Sequence, residues 1–164
     1  MFNITRVQVE ILTARESGQP TTGAVFLGFG GREFRLTTGD PADFQGNTTR
    51  KFELGGPEAN VANAARNDPT RPQLTTKDLN RPVYLRFEPR GGQPEWVLEY
   101  ALVRAFGPSG ERLDIWNTPA LQDDTEPKTH KIWLGEDAGL IYYLTHASSA
   151  PGPTPPDPPE PRSV

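Results

Sequence analysis

Apolar and polar residues alternate one for one through most of this chain up to Leu144. In Val7-Gln8-Val9-Glu10-Ile11 the aliphatic residues fall on one side and Gln8 and Glu10 on the other. Successive side chains of a β-strand point to opposite faces, so this spacing buries one face of an extended segment and wets the other. Val25, Leu27 and Phe29 repeat the pattern. Gly30-Gly31 then supplies a tight hairpin turn, after which Phe34 and Leu36 resume it. Further strands are predicted at Lys51–Leu54, Val83–Phe87, Trp96–Phe106, Leu113–Trp116, Lys131–Leu134 and Leu140–Leu144. Half-buried strands at this spacing, divided by Gly, Pro, Asn and Asp, predict an all-β fold: an antiparallel β-sandwich of about eight strands.

Two segments break the rhythm. Pro57–Ala65 favours a short helical turn and Arg66–Asn80 is polar and turn-forming, so Gly55–Asn80 reads as an insertion on the sandwich rim. From Ala150 the chain becomes Ala-Pro-Gly-Pro-Thr-Pro-Pro-Asp-Pro-Pro-Glu-Pro-Arg-Ser-Val. Proline lacks a backbone donor and fixes φ, so residues 148–164 are expected to be a disordered, extended tail outside a sandwich domain of residues 1–147. Pro153, Pro156 and Pro159 have the spacing that aromatic grooves recognise.

The 164 residues contain no cysteine, which removes disulfides, thiolate metal sites and a cysteine nucleophile together. A net charge of −4 argues against nucleic acid as a partner, because that binding rests on clustered Lys and Arg. No stretch is apolar enough to span a bilayer. Arg6 places a charge where a cleaved leader would be apolar, so the expected location is cytoplasmic.

Catalytic chemistry is not legible. The two histidines, His130 and His146, lie in polar surroundings, and no serine sits in a Gly-x-Ser-x-Gly elbow. The acidic pairs Asp123-Asp124 and Glu136-Asp137 are neighbours, whereas a hard cation needs oxygens converging from several positions. Gly28-Phe29-Gly30-Gly31 is followed by no lysine and opens no helix. The expectation is no enzyme, no metal and no cofactor.

Glu95-Trp96-Val97-Leu98-Glu99 leads into Ala101-Leu102-Val103. This resembles the strand signature of PLAT/LH2 domains, in which an acidic residue precedes Trp and small aliphatics come after it. The step from Leu98 to Ala101 is three rather than two, so a β-bulge near Glu99 or Tyr100 is needed to keep the inward face. Thr22–Leu27, the Phe44–Thr48 stretch with Phe52 and Leu54, and Trp133-Leu134 followed by Gly135–Gly139 are similar to further parts of that family, in order. The resemblance implies a sandwich that attaches its bearer to a membrane surface, with calcium, or to another protein. Calcium-binding members carry an acid where this chain has Gly23-Ala24, and Phe87-Glu88 replaces their usual polar pair.

If successive strands alternate in direction, the connections Arg15–Thr22, Thr37–Thr48 and Glu88–Glu95 emerge at one end. That end gathers Glu16, Asp40, Asp43, Phe44, Glu88, Arg90 and Glu95 as candidate binding residues, on loops held by a rigid scaffold. Trp96 and Trp133 are expected in the core. Trp116, at the end of its strand, is a candidate edge contact. The function expected is a non-catalytic module binding an unidentified protein partner. The alternatives are calcium-assisted binding to membrane lipid, for which Phe44 is the aromatic loop tip, and a structural or assembly subunit.

Overall fold

The computed structural model describes residues 1–118 and 131–147. The Pro-rich tail, His130 and Asp123-Asp124 lie outside the described residues. Among the described residues ten strands form: β1 Arg6–Thr13, β2 Ala24–Phe29, β3 Arg32–Arg35, β4 Thr48–Leu54, β5 Tyr84–Glu88, β6 Trp96–Phe106, β7 Arg112–Asn117, β8 Ile132–Leu134, β9 Ile141–Tyr143 and β10 Thr145–Ala147. They make two antiparallel sheets, the predicted sandwich. The larger has the order β10-β7-β6-β1-β4, with β8 also paired to β6; the smaller has the order β3-β2-β5-β9.

The core arises from the alternation. Val7, Val9, Ile11 and Thr13 of β1 are fully buried, as are Phe52 and Leu54 of β4 and Leu85 and Phe87 of β5. Each aliphatic or aromatic side chain buried in this way contributes about 1.5–3 kcal/mol. The Trp96 indole N–H, fully buried, donates to the Thr13 hydroxyl at 3.0 Å, so the largest core side chain leaves no unmet donor.

The predicted bulge is present. The β1–β6 register pairs Leu12 with Tyr100 and Thr13 with Leu98, leaving Glu99 as the extra residue. Trp96, Leu98, Ala101 and Val103 therefore all face inward and are fully buried. The other edge of β6 is shared on the two sides of the bulge: β8 pairs with Trp96–Leu98 before it and β7 with Leu102–Phe106 after it.

Three expectations need correction. The strand expected at Leu140–Leu144 is β9, which joins the small sheet beside β5, and a further strand that was not expected, β10, follows it and joins the large sheet beside β7. Leu144 sits buried at the crossing and donates its N–H to the Val83 carbonyl at 2.8 Å. Trp133 is half exposed rather than core, because Leu134 takes the inward place on β8. The Gly55–Asn80 insertion is more than a rim decoration and forms no helix at 57–65. Val61 and Leu74 are buried in the core, and a 3-10 turn at Thr76–Asn80 is held by a reciprocal Thr75–Asp78 cap.

Candidate functional site

The three loops expected at one end do meet there. The Gly46 N–H donates to Gly18 at 3.0 Å, Thr22 donates to Gln93 at 3.0 Å, and the Thr22 hydroxyl donates to the Arg90 carbonyl. The end of the β2–β3 hairpin splays beyond the Leu36-to-Val25 hydrogen bond, leaving a cleft of about 490 Å³ walled by Thr21–Ala24 and Thr37–Pro41.

The acids of this end are already answered by cations. Asp43 is buried and accepts from the Thr38 N–H at 2.7 Å, the Thr38 hydroxyl at 2.6 Å and the Thr37 hydroxyl at 3.1 Å. Arg50 lies between Asp40 and Asp43, at 3.4 and 3.3 Å. Its buried Nε is near enough to Asp43 for charge attraction but too poorly aligned for a hydrogen bond. The guanidinium thus bridges the two carboxylates as a cation would. Glu88 pairs with Arg90 at 2.7 Å and Arg86 at 3.5 Å, and Arg90 principally holds its carboxyl below the usual range. Glu16 is bonded to Lys131, which lowers its pKa in the same way.

Phe44 is not a loop tip. It is buried, stacked on Phe52 at 5.6 Å and edge-on to Trp96 at 5.4 Å, because the turn Asp40–Gln45 folds its ring under the cleft. Asp43 and Phe44 therefore build the loop rather than face a ligand. Glu95 stands apart, lining a small cavity with Trp133, Gly135 and Asp137. Trp116 is also corrected. It is buried, edge-on to Phe29 at 5.4 Å and beside the Gly30–Gly31 end of the sandwich, not on an open edge.

The exposed apolar surface lies elsewhere. Trp133, Leu140, Ile141 and Tyr143 are 50, 44, 45 and 61% exposed. All lie on β8, β9 or the join between them. The loop Gly135–Gly139 closes by mutual backbone hydrogen bonds at 3.0 and 3.2 Å, which sets Trp133 and Leu140 at its two feet, with Glu136 and Asp137 exposed at its tip. A signal existed: if Leu134 is inward, period two turns Trp133 outward. Ile141-Tyr142-Tyr143 is apolar on both faces, so an edge position leaves one face uncovered.

His146 contacts Asp114 across β10 and β7 and packs edge-on against Trp116 at 5.6 Å, in the wall of a cavity of about 400 Å³. Among the described residues that wall offers no serine, threonine or second carboxylate beside His146 and Asp114. Among the described residues no three His, Cys, Asp or Glu side chains converge on a possible metal position. No described helix is long and apolar enough to cross a membrane.

Fold and site together define an all-β sandwich with charge-paired loops at one end and exposed apolar side chains on β8, on β9 and at the foot of the loop between them. No family model matches the chain, and no curated protein matches it in sequence. Among solved structures it is similar to the alpha toxin from Clostridium absonum, with a TM-score of 0.52 and 17% identity over 88% of this chain and 32% of the toxin. The chain thus spans about a third of that toxin's length. The likeness is one of fold.

Proposed function

We propose that this chain is a non-catalytic binding module of PLAT/LH2-like architecture that docks onto a protein partner. The observation that carries this reading is the exposure of Trp133 and Leu140 at the two feet of the acidic loop Gly135–Gly139. Exposed aromatic and aliphatic residues gathered beside charge are the composition of a protein-binding surface. An anionic bilayer is a poorer fit, since Glu136 and Asp137 would meet anionic headgroups together with the apolar feet.

The second reading is calcium-assisted membrane docking by the same surface, favoured by the exposed Trp133 beside two carboxylates. Sedimentation with vesicles of phosphatidylcholine and phosphatidylserine, with and without calcium, separates the two. The expected result is no pelleting in either condition, together with a cross-linked protein partner that the double variant Trp133→Ala/Leu140→Ala loses. Calcium-dependent pelleting abolished by the same double variant would overturn the protein reading and establish the lipid one.

A further inference from the structure

Arg32 puts a charge on the inward side of a sheet. It pairs across the Gly30–Gly31 turn with Phe29, which is 1% exposed, so the two side chains leave the hairpin on the same face. There the guanidinium lies over the Phe34 ring, 4.6 Å from its centre, and Nη1 donates to the Asp68 and Pro72 carbonyls at 3.1 Å each. These contacts fix the group in place but bring no negative charge to it. Burial lowers the Arg32 pKa, and the charge of Asp68 offsets this only in part.

Arg81 comes to the same place from the end of the Thr76–Asn80 turn. It is exposed and runs across Gly31, its Cδ 2.9 Å and its Nη1 3.4 Å from where a Cβ on that glycine would stand. Neither arginine has an ion pair among the described residues. Together with Phe29, Pro82, Tyr84 and Tyr143 they wall a cavity of about 180 Å³ that has no Asp or Glu in its wall. The acids on the elements packed there are occupied elsewhere. Glu33 accepts from Arg86 at 2.8 and 3.0 Å and from Tyr84 at 3.0 Å. Asp68 accepts from the Thr70 N–H and hydroxyl at 2.8 and 2.7 Å and lies 3.9 Å from Arg71. Asp78 accepts from the Thr75 N–H at 2.9 Å.

Two held cations that face no anion suit a ligand of charge about −2. A guanidinium offers a planar fork of donors to carboxylate or phosphate oxygens. A carboxylate carries one negative charge, whereas a phosphate monoester carries about −1.5 to −2 near neutral pH and three strong acceptor oxygens. With Nη1 committed to two carbonyls, Arg32 keeps Nε and Nη2 for such a group. The wall also sets what the phosphate is attached to. Tyr84 and Tyr143 stand edge to face at 5.8 Å, and Tyr143 is 61% exposed. Ring surface beside the cations gives a flat apolar group a place to pack.

We propose that the cavity between Arg32 and Arg81 binds an aryl phosphate monoester, its phosphate on the two guanidinium groups and its ring against Tyr143. This site is separate from the surface at Trp133, and either can fail without the other.

The test is a titration of the isotope-enriched full chain, followed by backbone amide shifts, with phenyl phosphate, phenyl sulfate, benzoate and inorganic phosphate at neutral pH. Phenyl phosphate should give saturable shifts at Gly31, Arg32, Arg81 and Tyr143 and none at Gly39 and Asp40 in the charge-paired loops. Benzoate and phenyl sulfate, each with one negative charge, should bind at least about tenfold more weakly. Inorganic phosphate should bind several-fold more weakly than phenyl phosphate, and Tyr143→Ala should erase that difference. Arg81→Gln, at an exposed position, should weaken phenyl phosphate about tenfold and leave the melting temperature unchanged. Shifts spread equally over both sets of residues, or an affinity unchanged by Arg81→Gln, would overturn the site. Phenyl sulfate or benzoate bound as tightly as phenyl phosphate would overturn the choice of a dianion. Inorganic phosphate bound as tightly would overturn the aryl ester.

Discussion

Glu33 accepts two hydrogen bonds from Arg86, at 2.8 and 3.0 Å, and one from the Tyr84 hydroxyl at 3.0 Å. The Arg86 bonds, more than any other cause, hold its carboxyl below the usual range. A carboxylate whose pKa is depressed by folding stabilises the native state above its unfolded value, about 4.3. That stability is lost as the pH falls through the lower folded value. The pair is about one-third exposed, so solvent screening limits its worth to about 0.5–1 kcal/mol. Glu33→Gln should lower stability by that amount at neutral pH, and the gap to the parent chain should close on acidification below the carboxylate range. Urea melts at a series of pH values check this; a gap independent of pH would refute it. Phe44 gives a contrasting case. Phe44→Ala removes a ring buried against Phe52 and Trp96 and should cost about 3–4 kcal/mol. A loop-tip phenylalanine would cost almost nothing, so the same melts test its place in the core.

Among the strands, β6 depends on one unpaired residue. Glu99 resets the side-chain alternation so that Trp96 and Leu98 share the inward face with Ala101 and Val103. Because the period is two, removing one residue turns one half of the strand inside out. Deleting Glu99 should abolish folding, while Glu99→Ala, which keeps the backbone count, should change stability by less than about 1 kcal/mol. Circular dichroism of the two proteins reads the difference. The need for this bulge was visible in the sequence, since Trp96, Leu98, Ala101 and Val103 cannot face one way without it. The crossing at Leu144 was not visible. Ile141 to Ala147 reads as continuous extended chain, and nothing local says that β9 completes one sheet and β10 the other. That choice depends on which open edges β5 and β7 present.

Across the molecule, the Gly55–Asn80 segment bonds to an edge strand of each sheet, to β4 through Asn60 and to β3 through Asn67. Asn67 is its buried clasp: its carbonyl oxygen accepts from the Arg35 N–H at 2.8 Å and its amide donates to Ala62 and Asn63 at 3.1 and 3.2 Å. Asn67→Ala leaves those backbone groups unmet and should cost about 2 kcal/mol by chemical denaturation; an unchanged midpoint would mean the insertion is peripheral after all. The strand ladders of the described residues fall between Arg6 and Ala147. Truncation after Ala150 should therefore shift the melting temperature by less than about 2 °C.

Local rules along the chain were enough to establish which segments are strands, that they pack face to face, where the long strand must bulge, and which loops share an end. Period-two alternation and alternating strand direction carry all of these. The burial of particular side chains was settled only by the assembled fold. Phe44 went inward because Asp43, fixed by Thr37 and Thr38, folds the turn over the core. Trp133 went outward because Leu134 pairs opposite the inward-facing Trp96. The acids at the loop end became members of ion pairs once Arg50, Arg90 and Lys131 came within reach. A side chain's partner across a sandwich is set by which strands become neighbours, and that is a property of the assembled sheets rather than of any stretch of chain.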